Sequence, residues 1–114
     1  MYKKIILGTA QFGNKYGIAN KSGKISLIEV FDILNFLKKK KLDCLDTASL
    51  YNQSETKIGK YFQKTNKKFK IITKYSFKSN DTIEKQFKKS LRLLGYLPNT
   101  ILAHNYKDYI IGYS

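Results

Sequence analysis

Asp46, Tyr51, Lys74 and His104 are a carboxylate, a phenol, an ammonium and an imidazole, the kinds of group that hold and deliver a proton during catalysis. Each stands at or just beyond the end of a short apolar run. Asp46 lies in Leu45-Asp46-Thr47-Ala48 with Tyr51 shortly after it, Lys74 ends Ile72-Thr73-Lys74, and His104 lies in Leu102-Ala103-His104-Asn105. Asp46, Lys74 and His104 recur at intervals of about 30 residues, the length of one strand, loop, helix and loop in a βαβ repeat. Such a repeat returns the chain to one rim of a parallel sheet each time, so residues distant in sequence meet there as a proton-donor constellation.

The elements that must position them follow from periodicity. Residues 3–9 form an apolar run ended by Gly8 and Thr9 and are expected to be a buried strand. Residues 11–24 carry Gly13, Gly17 and Gly23 among polar residues and read as a loop. Ser26 and Glu29 have capping-box spacing, and Leu27, Val30, Phe31, Leu34 and Leu37 recur at helical intervals, which predicts a helix over 27–41. Residues 42–46 make a second strand. Ser54 is placed to cap a second helix through Lys64, with Glu55 charging its first turn and Ile58, Tyr61 and Phe62 facing inward. Residues 69–74 form the third strand. Asp81 and Glu84 suggest the cap of a third helix with Ile83, Phe87, Leu91 and Leu94 as its stripe, stopped by Gly95 and followed by Pro98. Thr100 to His104 is the fourth strand. Strict alternation implies an α/β fold with about four parallel strands and three helices in a single domain over residues 1–114. The tail Tyr109-Ile110-Ile111-Gly112-Tyr113-Ser114 also reads as a strand. Too few residues separate it from His104 for a parallel crossover, so it is expected to pair antiparallel, to dangle, or to belong to a region that has lost a helix.

Size and charge bound the rest. A chain of 114 residues can bury a modest core but is too short to close an eight-stranded β/α barrel, which takes roughly 250 residues. The single cysteine, Cys44, excludes an internal disulfide and is read as a small core residue, consistent with a reducing, cytoplasmic setting. No apolar run reaches the ~20 residues that span a bilayer, so no membrane partner is expected. The formal charge of +14 would attract phosphates, yet Arg92 is the only arginine, and arginine is the favoured residue for bidentate phosphate and base contacts. Runs such as Lys38-Lys39-Lys40-Lys41 read as solvated surface, and no dedicated nucleic-acid site is assigned. No metal site is assigned either.

The stretch Leu45-Asp46-Thr47-Ala48-Ser49-Leu50-Tyr51-Asn52-Gln53-Ser54-Glu55, followed by Ile58-Gly59, resembles the signature after the second strand of the aldo/keto reductase family. Thr73-Lys74 and Ala103-His104 are similar to that family's lysine and histidine positions, and Leu7-Gly8-Thr9-Ala10 to its first cofactor-side turn. The resemblance runs from about residue 3 to 106. It implies the N-terminal half of a (β/α)8 barrel and the reduction of an aldehyde, a ketone or a sugar carbonyl by a nicotinamide cofactor, NADPH more often than NADH. Tyr51 would be the acid that protonates the nascent alkoxide. A free phenol titrates near ~10, so an adjacent cation is needed, and Lys74 would supply it while Asp46 holds Lys74. His104 would donate a hydrogen bond to the substrate oxygen. Gly8, Thr9 and Asp46 would line the cofactor side.

Asn52 stands where many members of the family have glycine. The later strands, which in that family carry a Ser-Asn pair, a stacking aromatic and the phosphate-holding loops, have no identifiable counterpart. Half a barrel leaves sheet edges and one sheet face uncovered, so a homodimer or a complementing C-terminal half is an expected partner, and a non-catalytic interaction domain is the alternative reading.

Overall fold

The computed structural model describes residues 5–13 and 25–113. Four strands, β1 (Leu7–Gly8), β2 (Cys44–Asp46), β3 (Lys70–Tyr75) and β4 (Thr100–Ala103), form one all-parallel sheet in the order β1-β2-β3-β4. Between and after them come α1 (Ala10–Gly13), α2 (Leu27–Lys39), α3 (Ser54–Thr65), α4 (Ile83–Leu94) and α5 (Tyr106–Tyr113), with a 3-10 turn at Phe77–Ser79.

Two of these helices depart from expectation. Ala10–Gly13 is a short helix rather than the start of a loop, while Gly17 and Gly23 of that expected loop lie outside the described residues. The tail is helical up to Tyr113, and Ser114 is outside the described residues. Its β-forming composition is overridden at the helix start, where Asn105 Oδ1 accepts from Asp108 N at 3.0 Å and Asn105 O accepts from Tyr109 N at 3.1 Å.

The core lies between one sheet face and the helices. Leu45 and Ile71 point into it from β2 and β3 and meet Val30, Leu34 and Leu37 of α2, Ile58 and Tyr61 of α3, and Leu94 of α4. The α2 boundary follows its capping signal, since Ser26 Oγ accepts from Glu29 N at 3.2 Å, an interaction worth about 1 kcal/mol. Gly95 ends α4 at φ 81 with its N–H on Leu91 O, as a left-handed stop requires.

Elsewhere the local signals point one residue or one face away. Thr82, not Asp81, caps α4 by accepting from Lys85 N. The buried line of α4 is Gln86, Ser90 and Leu94, whereas Leu91 is 37% exposed. That line turns inward because the loops beneath it need polar partners: Gln86 Oε1 accepts from Ser76 N at 2.8 Å and from Ser49 Oγ at 3.3 Å. Lys57 is a buried exception to the solvated lysines. Its ammonium donates to Phe12 O at 2.6 Å and Ile25 O at 2.8 Å, drawing together the chain before α2 and the end of α1. Cys44, expected in the core, alternates with buried Leu45 and therefore lies half-exposed on the opposite sheet face.

That opposite face carries Gly8, Cys44, Asp46, Ile72, Lys74 and Leu102 by strand alternation, and Leu102 is 46% exposed. Among the described residues no helix is long and apolar enough to cross a membrane.

Gly59 sets how closely α3 approaches α4. A Cβ built there would stand 1.8 Å from Leu93 O, a backbone atom that cannot swing aside. Gly59→Ala is expected to destabilise the chain by about 1–3 kcal/mol through overpacking, read as a lower denaturant midpoint with an unchanged slope.

Candidate active site

Gly8 ends β1, Asp46 ends β2, Lys74 is the penultimate residue of β3, and His104 follows β4 directly. All lie at the carboxyl ends of parallel strands, where successive β/α loops converge. Tyr51 sits in the loop between β2 and α3. Three backbone devices aim this loop. Asn52 adopts a left-handed conformation at φ 50, one that glycine or asparagine takes most readily, so its presence in place of glycine preserves the turn. Its Nδ2 donates to Gly13 O at 3.3 Å. At Gly13 itself an added Cβ would stand 1.9 Å from Tyr51 O, so the end of α1 abuts the main chain of Tyr51 directly.

The four side chains converge. Lys74 Nζ donates to Asp46 Oδ1 at 2.8 Å and to Thr47 O at 2.8 Å, with the Lys74 side chain 15% exposed and that of Asp46 35%. The same ammonium stands 5.1 Å from the centroid of the Tyr51 ring, within cation–π range. The Tyr51 and His104 rings meet edge to face, centroids 5.7 Å apart. His104 is anchored by donation from its backbone N–H to Tyr75 O at 2.9 Å. Its imidazole is held below the usual histidine range, first because it is removed from water and then because the Lys74 charge opposes a second cation. The ring is therefore neutral at pH 7 and can donate from one nitrogen only.

The two remaining candidates divide. Gly8 is exposed, with no atom of the described residues within 4 Å of where a Cβ would be. Thr9 is fully buried at 0% exposure and its hydroxyl donates to Asp46 O at 2.9 Å. Its side chain therefore supports Asp46 from below and does not line the rim. Ser54 departs from its expected role too. The position before α3 is Gln53, whose side chain makes no capping bond, and Ser54 Oγ is buried within 2.9 Å of both Thr9 Oγ1 and Thr47 Oγ1. Glu55 stands in the first turn of α3 as expected, but it is 2% exposed and accepts from Thr73 Oγ1 at 2.8 Å. Sequence reasoning did not single out Gly13, Thr47, Gln86 or Asp108. Among the described residues no group of three or more His, Cys, Asp or Glu is placed to hold a metal ion.

The family model described as the aldo/keto reductase family matches residues 4–105. The chain belongs to the aldo/keto reductase family. Two solved structures of proposed aldo-keto reductases from Pseudomonas aeruginosa share the fold. One superposes with a TM-score of 0.72 at 24% identity, over 89% of this chain and 42% of that one. The other gives 0.70 at 20% identity, over 89% and 41%. This chain thus spans about two fifths of the length of these aldo-keto reductases, and its four strands form part of their (β/α)8 barrel. No curated protein sequence gives a significant match. Aldo/keto reductases generally use NAD(P)H. Among the described glycines, Gly8 is the one with no atom within 4 Å of an added Cβ, and it pairs with Asp46 on the face that also carries Lys74.

Burial raises the Glu55 carboxyl above the usual carboxylate range, against the opposing hydrogen bonds from Ser90 and Thr73. The folded state therefore keeps a proton that the unfolded chain releases, so this group favours folding at low pH and loses that contribution as pH rises through its raised value. His104 acts oppositely, its contribution being lost as pH falls below the ordinary histidine range. We expect Glu55→Gln to flatten the Glu55 part of the stability profile. The difference between variant and parent midpoints, measured by denaturant titration at several pH values, should grow from the acid side toward pH 7 in favour of the variant, because His104 cancels in that difference.

Proposed function

We propose that residues 1–114 supply the proton-donor half of an NAD(P)H-dependent reductase that converts an aldehyde or ketone, including a sugar carbonyl, to an alcohol. The observation that carries this reading is the Lys74 ammonium, bound to Asp46 and seated 5.1 Å from the Tyr51 ring. Reduction of a carbonyl needs a proton at the oxygen that becomes an alkoxide. Tyr51 gives it, and the cation beside its ring stabilises the phenolate left behind. Asp46 and Thr47 O hold that cation by two hydrogen bonds and fix its place beside the ring. His104, neutral and edge-on to Tyr51, donates to the same substrate oxygen and orients it. When bound, the nicotinamide supplies the hydride. Gly8 and the outer edge of Asp46 border the space it would enter, and NADPH is the expected form. A cytoplasmic setting accords with the single cysteine.

The exposed sheet face with Leu102 favours a second reading, in which this chain is an interaction domain that needs a complementing half-barrel or a second copy to cover it. Titration with NADPH, followed by fluorescence, separates the two. Binding, alone or with a complementing C-terminal half, supports the reductase. Absence of binding at millimolar cofactor in both cases leaves the interaction domain.

Given turnover, Tyr51→Phe is expected to lower kcat by roughly 10²–10⁴-fold, the contribution of a positioned acid, with the circular dichroism spectrum unchanged. Retained turnover in that variant would remove Tyr51 from the proton path.

A further inference from the structure

Lys60 and Lys64 of α3 are exposed, whereas Lys57 of the same helix is only 7% exposed. Burying an ammonium costs free energy that an apolar side chain of the same length would not, so its place is explained by what it holds. Two of its hydrogens go to main-chain carbonyls, Phe12 O at 2.6 Å and Ile25 O at 2.8 Å. We propose that Lys57 is a positioning residue for Tyr51, acting from α3 through the end of α1.

Each link is a short contact. Phe12 O belongs to the Phe12–Gly13 peptide, which is planar, so a hydrogen bond to that oxygen also fixes the plane in which the Gly13 N and Cα lie. Gly13 in turn abuts the main chain of the loop after β2. A Cβ there would stand 1.9 Å from Tyr51 O, 2.7 Å from Gln53 N and 2.8 Å from Ser54 N, so any rotation of that peptide presses on this turn or draws away from it. Asn52 Nδ2 takes up the next carbonyl from the loop side, donating to Gly13 O at 3.3 Å. Tyr51 O accepts from Ser54 N at 2.9 Å, at the first residue of the helix that carries Lys57. The contacts therefore close a ring: α3, the ammonium, the end of α1, the turn that bears Tyr51, and α3 again.

The buried Phe12 ring also anchors α1, but it does so by apolar burial, which has no direction and leaves a helix of four residues able to turn about one point. The carbonyls at a helix end lack partners within the helix. A charge-assisted hydrogen bond to one of them is directional and supplies a second fixed point, which a methionine in the same space would not. The functional meaning of this placement rests on the reading of Tyr51 as the proton donor.

His104 is the only histidine, and its ring meets that of Tyr51 edge to face with centroids 5.7 Å apart. The ring current of Tyr51 therefore contributes to the proton shifts of a single imidazole, which report where Tyr51 stands. Tyr51→Leu, which removes the ring, gives the imidazole shifts without that contact. We expect Lys57→Met to move the imidazole signals from their parent values while the circular dichroism spectrum is unchanged. In the double variant the Lys57 effect should vanish, leaving the shifts of Tyr51→Leu alone. Unmoved signals in folded Lys57→Met would overturn the proposal. So would a double variant whose change is the sum of the two single changes, because Lys57 would then reach the imidazole by a path that bypasses Tyr51. Should the methionine variant not fold, Lys57→Gln, whose amide nitrogen ends one bond short of the two carbonyls, is judged by the same two outcomes. These spectra need neither cofactor nor substrate. A negative NADPH titration removes the reductase reading and leaves the Lys57 result standing, whereas unmoved signals in a chain that binds NADPH remove the role of Lys57 and leave the reductase.

Discussion

A chain of buried hydroxyls underlies the rim on which every candidate residue depends. Thr47 Oγ1 and Ser54 Oγ are 2.9 Å apart, Ser54 Oγ reaches Thr9 Oγ1 at 2.9 Å, and Thr9 Oγ1 donates to Asp46 O at 2.9 Å. With Thr47 donating to Ser54 and Ser54 to Thr9, all bonds run in one direction and polarise one another. This links the end of β1, the end of β2 and the start of α3 without spending a single charge. Each hydroxyl is fully buried, so removing one would leave its neighbour unpaired in an apolar surrounding. The residues above, Asp46 and Tyr51, inherit their positions from this layer.

Charge is confined to the level above the hydroxyls. The Lys74 ammonium is matched by a carboxylate, a carbonyl and an aromatic ring. A cation so neutralised tolerates partial burial, where it acts through less water and therefore more strongly on whatever approaches Tyr51. The same field, together with burial, keeps His104 neutral.

The legible part of the fold was the part governed by local rules. Ser26 with Glu29, the stripe of Val30, Leu34 and Leu37, and Gly95 at the end of α4 act within a few residues of themselves and appear where their spacing places them. Ser54 as a cap was misread, and the burial of Glu55 in its expected first turn was missed, for the opposite reason. Both are good first-turn residues by type, yet both are drawn into the interior by partners far along the chain, Ser54 by Thr9 and Glu55 by Thr73. Thr9 itself carried no sign that its hydroxyl would be used from below the sheet rim and not from above it. Gly13 looked like any glycine in a polar stretch until the Tyr51 main chain was packed against it. The tail misled through composition, since isoleucine and tyrosine favour strands only where another strand is available to pair with them.

From the sequence alone came the alternation of strands and helices, its period, and with these the expectation that Asp46, Lys74 and His104 share one rim, because parallel strands all end on the same side of the sheet. Which atoms touch there was decided only by tertiary structure: the bond from Lys74 to Asp46, the edge of Tyr51 against His104 and the retreat of Thr9 beneath the surface. Periodicity sets which side a residue faces, whereas contact depends on helix approach, loop conformation and the pairing of buried polar groups across tens of residues, and no local pattern encodes those.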